Sequence, residues 1–109
     1  MSNADYLREA NPWAPMRKPL DLAHLGKLAE ELSEAASACA RCIIQGIDER
    51  EPATGKQNRE WLEDEIADVL AGFDLVSERF HLNQQRIRDR LLRKKAHLRQ
   101  WHDKIGGPL

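Results

Sequence analysis

Five carboxylates in two segments have the spacing of a cation site. The first segment contains Glu30, Glu31 and Glu34, and the second contains Glu65 and Asp68. Residues three apart project from the same side of a helix, so Glu31 would pair with Glu34 and Glu65 with Asp68. Converging like charges repel unless a cation lies among them, and Mg²⁺ or Mn²⁺ prefers such oxygen ligands. The spacing alone leaves two interpretations open, a divalent metal site or two solvated acidic faces.

Three long helices are predicted to carry these residues. Apolar residues recur at helical spacing in three segments, and no alternating apolar run indicates a strand. Each helix is predicted to begin after an Asp or Asn that can cap its first turn. The predicted ranges are 22–45, 59–80 and 84–104, and the caps are Asp21, Asn58 and Asn83. The fold class is therefore predicted to be all-α, a helical bundle.

The remaining segments are predicted to flank a single domain that spans residues 21–105. Residues 1–20 form an N-terminal arm, with a short helix from Asp5 to Ala10 and with Pro15 and Pro19 as helix breakers. Residues 106–109 form a C-terminal tail, which begins with two glycines that stop the third helix. Three helices make an incomplete bundle, so the chain is expected to form a homodimer or homotetramer unless the arm completes it.

Each predicted helix has an apolar face. In chain order these faces consist of Leu25, Leu28, Leu32, Ala35, Cys39, Cys42 and Ile43; of Leu62, Ile66, Val69, Leu70, Phe73 and Val76; and of Ile87, Leu91, Leu98, Trp101 and Ile105. Ala38 falls instead on a polar stripe beside the first face. Cys39 and Cys42 are expected to be buried small residues rather than a redox or zinc pair. Gly72 indicates either space for a ligand or close packing of two helices.

The composition describes a soluble globular protein of one domain. The chain has 109 residues, of which 41% are hydrophobic and 32% are charged, with a net charge of −1. Residues 30–78 carry 13 acidic and 4 basic side chains, whereas residues 86–104 carry 8 basic and 2 acidic ones. No apolar run is long enough for a membrane span or a signal peptide, so the expected location is the cytoplasm.

The charge pattern also bears on possible partners. The acidic middle segment would repel phosphate groups, so nucleic acid is not an expected partner. A membrane is not expected either, because no apolar run is long enough to span one. Two alternatives to an enzyme are kept, a nucleic-acid-binding module that uses the basic third helix and a helical interaction protein whose acids only increase solubility.

The carboxylates and their neighbours resemble those of the MazG-like nucleotide pyrophosphohydrolases, the all-α NTP pyrophosphatases. Glu30-Glu31-x-x-Glu34 followed by Glu65-x-x-Asp68 is similar to the E-E-x-x-E and E-x-x-D signature of that family. The likeness covers about residues 20–102. It continues in the segments 26–28, 40–46, 54–58 and 61–70.

The resemblance implies Mg²⁺-dependent cleavage of a (d)NTP, with Mn²⁺ as a substitute, between the α and β phosphorus atoms to give (d)NMP and pyrophosphate. By the motif, Glu31, Glu34, Glu65 and Asp68 would be the metal ligands. Glu30 and Glu34 would be catalytic, and Glu30 would either support the ligands or orient the attacking water. The similarity to small phage and bacterial members implies dATP or dGTP as the substrate, in the cytoplasm of a bacterium or of a phage-infected host.

Cationic side chains are expected near the carboxylates, because a triphosphate carries several negative charges. The predicted substrate-binding residues are Lys27, Arg41, Lys56, Trp61, Lys94, Lys95 and Arg99. For Lys56 the alternative is a solvated charge of the loop, and for Lys94 it is a solvated helix face. Trp61 either stacks on a base or covers the core.

Overall fold

The structure is a computed structural model that describes residues 2–5 and 12–107. Three long helices follow one another, α1 (Pro19–Gln45), α2 (Asn58–Phe80) and α3 (Gln84–Ile105). Residues 3–5 are also helical, whereas most of the short helix predicted from Asp5 to Ala10 lies outside the described residues. Within the described ranges there is no strand, only one isolated antiparallel bridge between Arg50 and Gln57. The all-α prediction is confirmed.

The helices belong to two compact units, residues 1–79 and residues 80–109. In the first unit, α1 and α2 form an antiparallel hairpin. Arg79 at the end of α2 donates to Asp21 at the start of α1 at 2.8 Å. At the other end of the hairpin, Asn58 donates to Gln45 at 3.2 Å. These two contacts fix the register of α1 relative to α2.

The start of α1 differs from the prediction. The helix begins at Pro19, three residues earlier than expected, after Lys18 at the N-cap position. Proline suits the first helical position because its missing N–H would have no partner there, so Pro19 starts the helix rather than breaking it. The N-cap predicted for Asp21 is wrong, because this residue lies in the first turn and its carboxylate pairs with Arg79.

Asn58 connects the two ends of the loop. It was predicted to cap α2, but it is the first residue of that helix and is only 1% exposed. Its Nδ2 donates to the Gly46 carbonyl at 2.9 Å as well as to Gln45, and its Oδ1 has no partner. The side chain therefore holds the end of α1 instead of capping α2. Asn83, by contrast, accepts from the Arg86 amide at 2.9 Å, so its predicted cap is confirmed.

The hairpin has a thin apolar core. Among the described residues, the only apolar ones that are fully buried are Ala38 and Val76. Ala38 was predicted to lie on a polar stripe, but it is buried. Several members of the two predicted apolar faces were expected to point inward, but they are exposed. Those exposed members are Leu25, Leu32, Cys39 and Ile43 on α1, and Ile66, Leu70 and Phe73 on α2. Each apolar stripe is wider than one partner helix can cover, so only one edge of it lies in the α1–α2 contact.

Gly72 lies where the two helices approach closely. A Cβ at this position would lie 3.1 Å from Leu28 Cδ1, tighter than ordinary van der Waals contact. The glycine therefore serves close helix packing, which was one of the two interpretations of its position.

The second unit contains α3, which ends where Gly106 adopts φ 132° and its amide donates to the His102 carbonyl. All the apolar residues of its predicted face are exposed: Ile87, Leu91, Leu98, Trp101 and Ile105. In the part of the chain that the structure describes, no helix is long and apolar enough to cross a membrane.

The contacts of Asn58 lead to a prediction for stability. Replacing Asn58 with Ala removes the donor of the Gln45 side chain and leaves the Gly46 carbonyl with only the 3.3 Å hydrogen bond from the Glu49 amide. We therefore expect the free energy of unfolding, measured in urea, to fall by about 1–3 kcal/mol. Gln57→Ala is the matched control, because Gln57 makes only a 3.5 Å side-chain hydrogen bond and should change stability by about 0.5 kcal/mol or less. Equal denaturation midpoints for the two variants would contradict this role of Asn58.

Candidate metal centre

Three of the predicted ligands come together across the hairpin. Glu31 of α1 and Glu65 and Asp68 of α2 each offer one carboxylate oxygen, and these atoms lie within 4.8 Å of one another. Glu31 and Glu65 are half-buried, whereas Asp68 is exposed. The helices are antiparallel, and the acidic turn of each lies near its middle. The two acidic turns therefore lie side by side. Three converging anions are unfavourable without a counter-charge.

One lysine provides part of that counter-charge. Lys27 Nζ lies 3.2 Å from Glu31 Oε1 and 3.5 Å from Glu30 Oε2. The hydrogen bond with Glu31, followed by the charge of Glu30, raises the pKa of Lys27 above its ordinary value. Lys27 was predicted to bind substrate, and in the structure it neutralises part of the acidic cluster.

Two buried oxygens of the cluster remain unsatisfied. Glu31 Oε2 and Glu65 Oε2 are buried and have no hydrogen-bond partner among the residues that the structure describes. A buried charged oxygen without a partner is costly. Hard divalent cations prefer oxygen ligands of this kind. The donor set and its geometry therefore fit Mg²⁺ or Mn²⁺.

Glu34 lies outside the group of three, although it was predicted to be a ligand. Its side chain is exposed. Partial removal from water is the main cause that raises the pKa of Glu34 above its ordinary value, followed by repulsion from Glu31 and Glu65. Glu34 is thus close enough to the cluster to sense its charge and holds a proton more readily than a free glutamate.

A cavity of about 510 Å³ adjoins the cluster. It is lined by both polar and apolar groups: Ser33, Glu34, Ser37, Ala38, Arg41, Gln45, Glu51, Pro52, Trp61 and Glu65. Glu65 belongs both to the cavity wall and to the carboxylate cluster, and Glu34 lines the same wall. A ligand in this cavity would therefore lie next to any cation held there, and its volume is in the usual range for small-molecule sites.

Trp61 forms one wall of the cavity, beneath two cations. Lys56 Nζ lies 4.0 Å from the centroid of the indole ring, and the guanidinium carbon of Arg41 lies 5.6 Å from it. Such cation–π contacts hold the ring and both cations in one place. Lys56 also pairs with Asp64, and the buried Trp61 Nε1 has no hydrogen-bond partner. This donor lies inside the protein and is not exposed to the cavity.

Sequence reasoning missed part of this wall, namely Ser33, Ser37, Glu51 and Pro52. The carboxylate of Glu51 accepts from the Thr54 hydroxyl and amide, each at 2.7 Å, and from the Ala53 amide at 3.0 Å. These hydrogen bonds, that of the hydroxyl first, lower the pKa of Glu51. The sequence did contain a signal for this turn. Glu51 precedes its two hydrogen-bond donors by two and three positions, and Pro52 lies between them.

The other predicted substrate contacts lie elsewhere in the chain. Lys94, Lys95 and Arg99 are exposed on α3, in the second unit. Glu30 is exposed on α1, and its contact is the ion pair with Lys27.

The fold and the site define an all-α protein with an acidic candidate metal centre between two antiparallel helices. Comparisons with family models, with curated proteins and with solved structures find no match for this chain. The similarity to MazG-like enzymes therefore rests on the motif residues themselves.

The raised pKa of Glu34 predicts a pH-dependent stability. Because the folded state holds the Glu34 proton more tightly than the unfolded state, this group favours folding at low pH, and that contribution is lost as the pH rises through the folded pKa. In metal-free buffer at pH 7 we expect Glu34→Gln to melt at a higher temperature than the wild type. Near pH 4 the difference should shrink, because the wild-type carboxyl is then largely protonated.

Glu63→Gln is the matched control for this prediction. Glu63 is an exposed acid of α2 that lies outside the cluster and the cavity. It should show little change in melting temperature at either pH. A Glu34→Gln protein that melts below the wild type at pH 7 would contradict the repulsion.

Proposed function

We propose that this protein is a Mg²⁺-dependent pyrophosphohydrolase that cleaves a (d)NTP to (d)NMP and pyrophosphate. The observation that carries the proposal is the convergence of Glu31, Glu65 and Asp68 beside the cavity, with two buried oxygens unsatisfied. The similarity of the motif to MazG-like enzymes supports the same reaction. The (d)NTP substrate is taken from that similarity, and a triphosphate in the cavity would lie next to a cation held by the carboxylates.

In this proposal Glu31, Glu65 and Asp68 hold Mg²⁺ or Mn²⁺. When bound, the ion neutralises phosphate oxygens and lowers the pKa of a water molecule. The chain must hold its three carboxylates deprotonated and close together for this purpose. Lys27 helps to do so, because its ion pair with Glu31 offsets part of their mutual repulsion.

Glu34 is assigned the role of general base, which accepts the proton of the attacking water. The water oxygen forms a bond to the α phosphorus as the bond from that phosphorus to the bridging oxygen breaks, and the electron pair leaves with pyrophosphate. A carboxylate whose pKa is raised is a better base at neutral pH than an ordinary one, and Glu34 has this property. Glu30 acts less directly, through its ion pair with Lys27.

The cavity is assigned to the nucleotide. Arg41 lines it and is the cation best placed to contact phosphate oxygens. Trp61 offers the aromatic surface that lines the cavity to the nucleoside. These groups do not by themselves select a base, and dATP and dGTP are proposed first because of the resemblance to small phage and bacterial relatives. We also propose a cytoplasmic location and a homodimeric or homotetrameric state for the enzyme.

A second candidate function rests on α3. Every residue from 81 to 101 is exposed, and residues 86–104 carry 8 basic side chains. Such a helix could bind nucleic acid through phosphate contacts. A DNA or RNA affinity that falls steeply with salt, in a protein that hydrolyses no nucleotide, would favour this function over the first.

The test of the proposed enzyme is a screen of the common (d)NTPs for release of pyrophosphate and (d)NMP with Mg²⁺ or Mn²⁺. We expect activity in the wild type that chelation by EDTA removes. Glu65→Gln and Asp68→Asn should each lower kcat/KM by more than about 100-fold, beyond the effect of groups that only support a ligand.

Glu63→Gln is again the control, because this acid of the same helix lies outside the cluster. It should retain activity close to the wild type. The proposal fails if folded wild-type protein releases no pyrophosphate from any of the nucleotides, or if the Glu65 and Asp68 variants remain as active as the control.

A further inference from the structure

The side-chain amide of Gln45 has a fixed orientation. Asn58 Nδ2 donates to the Gly46 carbonyl at 2.9 Å, and because a carbonyl oxygen only accepts, the amide nitrogen of Asn58 must lie at this position. The same nitrogen donates its second hydrogen to Gln45 Oε1 at 3.2 Å. A reversed Gln45 amide would place two donors against each other with no acceptor between them. The backbone at Gly46 thus determines, through Asn58, which end of the Gln45 amide is the oxygen.

Gln45 therefore offers a hydrogen-bond donor to the cavity. Its side chain lines the cavity wall, and its Oε1 is already engaged by Asn58. The group of this amide that remains for a ligand is Nε2, which carries two N–H donors and accepts nothing. A ligand that binds beside Gln45 must present an acceptor, because a second donor placed there would leave both donors without a partner.

Glu51 offers the opposite function on the same cavity wall. The Thr54 hydroxyl, and after it the amides of Ala53 and Thr54, donate to Glu51 and lower its pKa. The side chain is therefore a charged carboxylate at neutral pH, and a carboxylate only accepts. A ligand that binds beside Glu51 must present an N–H or O–H donor, whereas a phosphate group would be repelled.

The charges of the cavity wall orient a nucleotide along α1. Arg41 and Gln45 follow Glu34 by about two and about three helical turns, so all three lie on one side of the helix and line the cavity. From Glu34 to Gln45 the helix rises about 16 Å. The phosphates would lie near Glu34 and Arg41, where the cation and the guanidinium attract them. The base would then lie at the other end, beside Gln45 and Glu51.

We infer that the cavity selects a base with a carbonyl next to a ring N–H, as in guanine, thymine and uracil, and that Gln45 and Glu51 determine this specificity. Gln45 Nε2 donates to the carbonyl, and Glu51 accepts from the ring N–H. Adenine and cytosine present an amino group and an unprotonated ring nitrogen on this edge, so donor would face donor and acceptor would face acceptor. The inference rests on the proposed function, and of the two nucleotides proposed there it favours dGTP over dATP.

The first test is equilibrium binding of α,β-imido nucleotides in the presence of Mg²⁺, measured by calorimetry. These analogues resist cleavage between the α and β phosphorus atoms. The analogues of dITP and dATP are the sharpest pair, because hypoxanthine and adenine differ only in the edge that Gln45 and Glu51 would contact. The wild type should bind the dITP analogue at least about 10-fold more tightly, and the dUTP analogue should exceed the dCTP analogue in the same sense. Equal affinities within both pairs, or no binding of any analogue, would overturn the inference.

Gln45→Glu tests the donor itself. The variant keeps an acceptor for Asn58 but presents a carboxylate oxygen to the cavity in place of an N–H, so the ratio of dITP to dATP affinity should fall at least about 10-fold. Because the added charge weakens the binding of every nucleotide, the ratio is the quantity to compare. Gln57→Glu is the matched control, since it adds the same charge next to Asn58 but outside the cavity wall, and it should keep the wild-type ratio. A wild-type ratio in Gln45→Glu would contradict the role of Gln45.

Pyrophosphate release from dITP and dATP is measured separately, and it distinguishes this inference from the proposed function. A protein that prefers the dITP analogue in binding but releases no pyrophosphate would support the selection of the base and contradict the hydrolysis. Release from both nucleotides at equal kcat/KM would instead support the hydrolysis and overturn the selection of the base.

Discussion

The close approach of α1 and α2 at Gly72 is the contact on which the candidate site depends. Leu28 occupies the space that a side chain at position 72 would need, at 3.1 Å from the place of its Cβ. Glu31, one turn after Leu28 on α1, meets Asp68 and Glu65, which lie about one and two turns before Gly72 on α2. A wider spacing of the helices would separate the carboxylates and expose their oxygens to water. The glycine therefore keeps the acidic groups close and partly buried, at a cost of about 1 kcal/mol in helix propensity.

The closeness of the carboxylates favours the binding of a cation and, without one, destabilises the fold. Three carboxylate oxygens within 4.8 Å have one lysine as their nearby counter-charge, and two buried oxygens have no partner. Repulsion of this kind is costly for folding, yet it is also what gives a divalent cation a favourable place to bind. The hydrogen bonds of Asn58 and the ion pair of Arg79 with Asp21 act at the two ends of the hairpin and oppose its opening.

The sequence predicted the helices and most of the candidate cluster, but not the way in which the apolar residues are distributed. Helical periodicity and the Asn83 cap are local signals, so α3 and the all-α class could be inferred directly. The start of α1 was misplaced because Asp21 and Pro19 each suit a helix start, and only the tertiary partner of Asp21, Arg79, decides between them. Glu34 shares its side of α1 with Glu31, but the register of α2 brings only Glu31 to Glu65 and Asp68. The loop carboxylate Glu51 was missed because its place in the cavity wall depends on the folded turn.

The thin core and the open carboxylate face can be explained together. A two-helix layer buries only Ala38 and Val76 completely among the described apolar residues, which is little for a stable fold. If both faces of the hairpin were covered, substrate would have no access to the carboxylates. The exposed apolar residues of α1 and α2 lie where the neighbouring side chains are neutral, so area buried on that side would not remove the charged carboxylates from solvent. The exposed apolar side of α1, with Leu25, Leu32 and Ile43, and the acidic middle of the hairpin are thus two consequences of one helical register.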